Sequence, residues 1–371
     1  MRIAIDASRA TVTRRTGTES YSLHIIRGLI AAGGGHHFQL YFRDTPPPDL
    51  LPSAANVHIE VIRQPRLWTH LGLGPAIRAS RPDVLFVPAH VVPWPDVDGV
   101  PAVVTLHDLG YLRYPEAHPP GQRLYLDWST RHSAQTAARV IAVSQATAGD
   151  LAELNHISRE KIRVIYSGVD ETLKPVDNLP EIVTARERYH IPGPYILHVG
   201  TLHARKNLVR LVEAFGEVRD TVGGLRLVLA GRPGWGCRAI TRRIEALGLG
   251  EQVILPGYVD EDDLPALYSG ARLVAYPSLY EGFGFPVLEA MACGAPVVTS
   301  TASSLPEVVG AAGLSVGAED THALAGAMAR ILTDETLRDE LVRRGFEQAR
   351  RFSWQVCAEK TLAVLAEAAS T

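Results

Sequence analysis

The chain has 371 residues, 46% of them hydrophobic and 21% charged, with a formal net charge of −3. That length calls for two domains of roughly 150 residues each. No apolar run reaches the ~18 residues that would span a bilayer, and the charge lacks the basic excess of a general nucleic-acid binder. Three scattered cysteines, Cys237, Cys293 and Cys357, have no CxxC spacing, support neither a disulfide framework nor a zinc site, and read as packing residues.

The opening MRIAIDASRA alternates like a short strand and lacks the basic region and apolar block of a secretory leader, so a cytoplasmic location is expected. Next, RATVTRRTGTESYSLHII places Gly17 ahead of a helical pattern. It is not a GxGxxG fingerprint, and no acidic partner follows ~20 residues on. Gly17 is therefore either a plain loop glycine or a point where backbone amides approach a phosphate or an acceptor. HFQLYF, VHIEVI, DVLFVP, AVVTLH, RVIAVS and KIRVIY follow, near-continuous apolar strands with helical patterns between several of them, which implies a parallel sheet covered on both faces. His107 and Asp108 end one of these strands. The imidazole suits donation to a substrate hydroxyl or phosphate, and Asp108 suits a loop or helix cap equally well. Asp96 and Asp98 form a DxD in a proline-bounded loop that gives little reason to expect magnesium. Residues 1–170 hold 17 Lys+Arg against 15 Asp+Glu. This mildly basic part suits either a plain solvated surface or peripheral contact with an anionic inner membrane face.

Prolines and acidic residues in SGVDETLKPVDNLPEIV, residues 167–183, interrupt the rhythm and mark the boundary between a first domain, 1–172, and a second, 185–352. In the second, YILHVG, LRLVLAG, QVILPGYV, RLVAYPS, APVVTS and GLSVG repeat the strand series. YILHVGTLHARKNLVRLVEAF puts Arg205 and Lys206 near a helix start, in a chain with four lysines among its 37 cationic residues. Adjacent cations there oppose the helix dipole unless an anion lies between them, and a diphosphate would satisfy both. In LYEGFGFPVLEAMACGAPVV, Gly284 lets a loop approach a ligand and Pro286 fits the first helical position. Glu281 and Glu289 there suit paired hydroxyls of a sugar and a ribose, or serve simply as loop and helix-dipole charges. GRPGWGCR lacks the Lys-Ser/Thr ending of a P-loop, and DEDDL at 260–264 reads as an acidic helix start. The tail, about 353–371, is an amphipathic helix pattern suited to packing back on the first domain or against the second.

GTLHARKN, LAGRPGWG, LPGYV and the E-x7-E pair Glu281 and Glu289, in that order, resemble the retaining glycosyltransferases of family 4, the group 1 glycosyltransferases, over nearly the whole chain. The resemblance implies an α/β, GT-B fold: two doubly wound Rossmann-like domains facing a central cleft, the first binding the acceptor and the second a nucleotide-sugar. It implies that Arg205 and Lys206 hold the diphosphate, that Glu281 contacts the donor sugar and that Glu289 contacts the ribose. The backbone amides of Gly284 and Phe285 and the loop at Gly231 would face the donor, with Tyr258 and Val259 beside the base. His107 would lie near the donor hexose, and Gly17 matches the N-terminal glycine loop, where RTGTESY departs from the usual double glycine.

The implied reaction transfers a hexose with retention of configuration and needs no metal or other cofactor. The cations would stabilise the leaving diphosphate, which takes the acceptor proton. LHDLGYLRYPEAH further resembles the branch of bacterial mannosyltransferases that build O-antigen and other surface polysaccharides. This implies GDP-mannose as donor and a glycan or lipid-linked acceptor, with no nucleic-acid partner. UDP-glucose or another UDP-hexose remains open as donor, as do a GT-B sugar-nucleotide epimerase and a non-catalytic nucleotide-sugar binding protein.

Overall fold

The computed structural model describes residues 1–371 apart from His90 and Asp96, so the DxD of Asp96 and Asp98 lies partly outside the described residues. Its thirteen strands are β1 (Arg2–Asp6), β2 (His37–Phe42), β3 (Val57–Val61), β4 (Val84–Val87), β5 (Ala102–Leu106), β6 (Arg139–Ala142), β7 (Ile162–Val164), β8 (Tyr195–Val199), β9 (Arg226–Ala230), β10 (Val253–Gly257), β11 (Leu273–Tyr276), β12 (Val297–Ser300) and β13 (Gly313–Val316). They form two all-parallel sheets, ordered β3-β2-β1-β4-β5-β6-β7 and β10-β9-β8-β11-β12-β13. Each of these sheets is doubly wound, and the chain reverses direction across β1 and β4 in one and across β8 and β11 in the other. Central strands such as VLFV and AVVTL are buried at every position, because helices cover both faces and leave no side for polar residues.

The chain divides into two compact units. The first comprises Met1–Leu112, Pro120–Gly168 and Phe352–Thr371, and the second Arg113–Pro119 and Val169–Arg351. The crossings therefore fall at Gly168 and Arg351, and the short stretch Arg113–Pro119 belongs with the second unit although both of its flanks lie in the first. Tyr114 Oη donates to the Leu279 carbonyl at 3.2 Å and Trp235 Nε1 to that of Glu116 at 3.2 Å, which pins this stretch where it lies.

In the first unit the Gly17–Ala32 helix begins at a capping box, with the Thr16 amide donating to the Glu19 carboxylate at 3.0 Å. Gly17 is its first helical residue. The Trp354–Ala369 helix packs along it, with Trp354 stacked on His24 at 5.2 Å and Ala358 close against Gly28. In the second unit the Leu208–Val218 helix buries Leu208, Leu211, Val212, Phe215 and Val218, a 3.6-residue stripe, in one core with Leu227, Leu229 and Met328. Among the described residues no helix is long and apolar enough to cross a membrane.

Candidate functional site

In open parallel sheets, ligands bind beyond the carboxyl ends of the strands where the winding reverses. In the second unit that point lies between β8 and β11, and Arg205, Lys206 and Glu281 meet there. After β8 the chain passes Gly200 in a positive-φ conformation (φ 144°), forms a single 3-10 turn over Ala204–Lys206, and enters the Leu208–Val218 helix through Asn207 (φ 61°). Asn207 Nδ2 donates to the Pro277 and Ala318 carbonyls at 3.0 and 2.6 Å, which fixes the turn against the loop after β11.

The two cations and one carboxylate form a buried cluster. Lys206 Nζ donates to Glu281 Oε1 at 2.6 Å and to Tyr276 Oη at 2.6 Å. Arg205 Nη1 donates to Glu281 Oε2 at 3.1 Å and to the Tyr280 carbonyl at 2.8 Å. The Glu281 side chain is 7% exposed. Burial alone would raise its pKa, but the charges of Lys206 and Arg205 outweigh it and pull the carboxyl down to about 2. The backbone around it is tied as firmly: the Glu281 amide donates to Ser303 Oγ at 3.0 Å, and Ser304 Oγ donates to the Glu281 and Phe283 carbonyls at 2.9 and 2.7 Å. His198, fully buried and stacked on Tyr276 at 5.0 Å, is held down to about 4 by burial and nearby Lys206; His203 is lowered to about 4 by burial and Arg205. Both imidazoles are neutral at pH 7, so Arg205, Lys206 and Glu281 sum to +1. The anion expected between the adjacent cations is thus supplied in part by the chain itself, through Glu281.

Glu289 takes no part in that cluster. It lies on the Phe285–Ala292 helix, whose N-cap, Gly284, has φ 112°; Phe285 is the first helical residue and Pro286 the second, one place later than the sequence suggested. Burial lifts the Glu289 carboxyl to about 7, even though Tyr268 Oη donates to it at 2.8 Å. Gly284 and Phe285 sit at this helix start, with Phe285 edge-on to Phe283 at 5.1 Å. Gly231 is required for packing: a Cβ there would stand 1.9 Å from the Gly200 carbonyl oxygen, so only glycine lets the β8 and β9 loops close together. Tyr258 lies beneath the Arg232 guanidinium, 4.9 Å from ring centroid to Cζ, and Val259 is buried.

Gly17 and His107 belong to the first unit. His107, 8% exposed, has Nε2 2.9 Å from the Pro88 carbonyl. A carbonyl only accepts, so that nitrogen carries a proton and spends it within the fold. Tyr276, Tyr268, Ser303 and Ser304 hold the site together and were not singled out from sequence. The available signal was a tyrosine closing β11 in RLVAYPS, a polar atom at the strand end where ligands bind.

A family model described as Glycosyl transferases group 1 matches residues 184–348, and one described as Glycosyltransferase Family 4 matches residues 15–173. The chain is 34% identical over 266 residues to the O-antigen chain mannosyltransferase B of Escherichia coli, covering 70% of this chain and 69% of that one. It is 32% identical over 275 residues to the serotype-specific mannosyltransferase WbdA of Escherichia coli, covering 72% of this chain but only 33% of that relative. Among solved structures, the fold is similar to that of sucrose-phosphate synthase from Thermosynechococcus elongatus, with a TM-score of 0.77 at 24% identity over 99% of this chain and 98% of that one. It is also similar to that of Anabaena HepE in complex with UDP and glucose, with a TM-score of 0.76 at 19% identity over 99% of this chain and 100% of that one.

Proposed function

The chain belongs to the group 1 glycosyltransferases of GT-B fold, and from that premise we propose that it moves mannose from GDP-mannose to a glycan or lipid-linked acceptor, with retention of configuration. The observation that carries this reading is the buried Arg205–Lys206–Glu281 cluster at the β8/β11 reversal, rigid and one positive charge in excess. A diphosphate leaving group gains negative charge as the glycosidic bond breaks. Cations already fixed by Glu281 and Tyr276 stabilise that charge without reorganising, which removes the need for a metal. Glu281 orients both cations and, through its remaining lone pairs, accepts from hexose hydroxyls. Its contact with the sugar is thus shared with a structural task. Because Glu281 is fully ionised and held by two cations, it acts electrostatically rather than as an acid.

Glu289, aimed by Tyr268, accepts from the ribose hydroxyls. The Gly284–Phe285 helix start faces the donor phosphates or sugar, with the Gly231 loop on the same side and Tyr258 and Val259 beside the base. Gly17 and His107, both in the first unit, are the residues that the resemblance assigns to the glycine loop and to the hexose. Mannose is favoured by the names of the relatives, and guanine by the likeness of LHDLGYLRYPEAH to bacterial mannosyltransferases.

A panel of GDP-, UDP- and ADP-sugars, followed by nucleoside-diphosphate release in EDTA, tests this. Release from GDP-mannose that depends on an acceptor, and that falls on the order of 10²-fold in Arg205→Ala, is expected. Release from no donor contradicts the transferase reading. Release without an acceptor indicates an epimerase or hydrolase, and strict dependence on a divalent cation contradicts metal-free charge compensation.

A further inference from the structure

The first unit has its own winding reversal, between β1 and β4. A cavity of about 540 Å³ opens at the carboxyl ends of these two strands, bounded by Asp6, the last residue of β1, and by Ala89 and Val91 after β4. Its size falls within the roughly 300–1,000 Å³ of small-molecule sites. Among the described residues, the carboxylates and guanidinium groups lining it are Asp6, Arg9, Arg43 and Asp44, two of each sign. Asp6 is 7% exposed, and its Oδ1 accepts from the Ser8 amide at 3.0 Å. His70 and Tyr125 also line it.

Beyond Tyr125 the lining continues as an aromatic ladder. Tyr125 lies 6.2 Å from Trp128, His70 meets Trp128 edge-on at 6.2 Å, and Trp128 stacks on His132 at 5.5 Å with the rings 4° apart. Tyr125, Trp128 and His132 follow helical spacing along one face of the Pro120–Thr136 helix, whose opposite face buries Ser129, Thr130, Ser133 and Ala134. This helix is thus polar inward and aromatic outward, with Tyr125 52% and Trp128 45% exposed. Such a face is unfavourable in water unless something covers it.

We infer that the first unit holds an elongated saccharide site, with a terminal sugar in the β1/β4 cavity and the preceding residues of an oligosaccharide along Tyr125, Trp128 and His132. A sugar matches both halves of this surface: its hydroxyls donate to Asp6 and Asp44 and accept from Arg9 and Arg43, while its C–H faces lie against flat rings. Equal numbers of these carboxylates and guanidinium groups fit a neutral chain better than an anionic lipid headgroup. Calling this ligand the acceptor rests on the transferase reading, and implies that the enzyme extends an existing chain rather than a single sugar.

The test is binding of fluorophore-tagged α-linked manno-, gluco- and galacto-oligosaccharides, one to five units long, to the full chain without a nucleotide-sugar. In at least one series, affinity is expected to rise about tenfold or more with length, each decade being 1.4 kcal/mol. Trp128→Ala and Tyr125→Ala should cancel that gain with nucleoside-diphosphate affinity and melting temperature unchanged, and Asp6→Asn should weaken binding at every length. A chain that binds nucleoside diphosphate but no oligosaccharide overturns this inference and leaves the transferase reading intact. Oligosaccharide binding without sugar-nucleotide turnover overturns the transferase reading instead. Unchanged oligosaccharide affinity in Trp128→Ala, with lost sedimentation on phosphatidylglycerol vesicles, makes the ladder a lipid contact and also overturns the inference.

Discussion

Glu281 and Glu289 flank the same Gly-Phe-Gly-Phe-Pro turn yet are driven to opposite ends of the carboxylate range. Glu281 is buried and Glu289 partly buried, and each keeps different company. Glu281 faces two cations and falls to about 2, below the 4.5 of an ordinary glutamate. A lowered folded pKa stabilises the fold above about pH 4.5, and this contribution is lost as pH falls from 4.5 toward 2. Glu281→Gln should flatten that acid limb of thermal stability. At neutral pH it should also cost about 3–5 kcal/mol, because buried Lys206 and partly buried Arg205 are left without their counter-charge; urea midpoints at pH 7 and pH 3 check both. Glu289 has the Tyr268 phenol as a hydrogen-bond partner but no cation to offset desolvation and the like charges of Glu261 and Asp170 among the described residues, and it rises to about 7. The unfolded carboxyl ionises from 4.5 while the folded one stays protonated to about 7, so its burial costs stability increasingly across that window. If the carboxylate grips ribose, kcat/KM for the donor rises through about pH 7. Tyr268→Phe, which removes the hydrogen bond holding that pKa down, should move the rise to higher pH, and Glu289→Gln should abolish it. A pH profile in which Tyr268→Phe overlays the parent contradicts the ribose assignment.

At the scale of elements, the central strands are legible as apolar runs because helices cover both faces of the sheet, whereas the edge strand VHIEV is legible by its alternation and is exposed along its middle. Two features are not legible. The stretch Arg113–Pro119 joins the second unit through hydrogen bonds from Tyr114 and Trp235, and single contacts between residues far apart in sequence leave no periodic trace. The amphipathic tail is visible as a helix, but its seat is decided by shape: a Cβ on Gly28 would stand 2.9 Å from Ala358 Cβ and 3.2 Å from the Trp354 carbonyl oxygen. Gly28→Val should therefore lift the Trp354–Ala369 helix from the Gly17–Ala32 helix and cost about 1–3 kcal/mol in chemical unfolding. Gly149→Ala, inside the Gln145–Leu154 helix with open space around it, should instead stabilise by about 0.4–1 kcal/mol. Equal effects of the two substitutions would contradict this packing account.

At the scale of the whole molecule, each unit has its own sheet and its own core, and each sheet reverses its winding once, beside Glu281 in the second unit and beside Asp6 in the first. Residue types revealed Arg205, Lys206, Glu281 and Glu289 as candidates, since charged groups at strand ends stand out against apolar runs. They did not reveal Tyr276 and Tyr268, which sit inside RLVAYPS and LPALYSG and read as core until their hydroxyls are seen on Lys206 and Glu289. In the proposed reaction the Arg205–Lys206–Glu281 cluster seats a nucleoside diphosphate. Calorimetric titration of the full chain with GDP, beside Arg205→Ala and Lys206→Ala, tests it most directly. Loss of one charge-assisted hydrogen bond, about 1.5–3 kcal/mol, predicts that each variant binds about tenfold or more weakly while keeping its fold. Variants that bind GDP as tightly as the parent would contradict the claim.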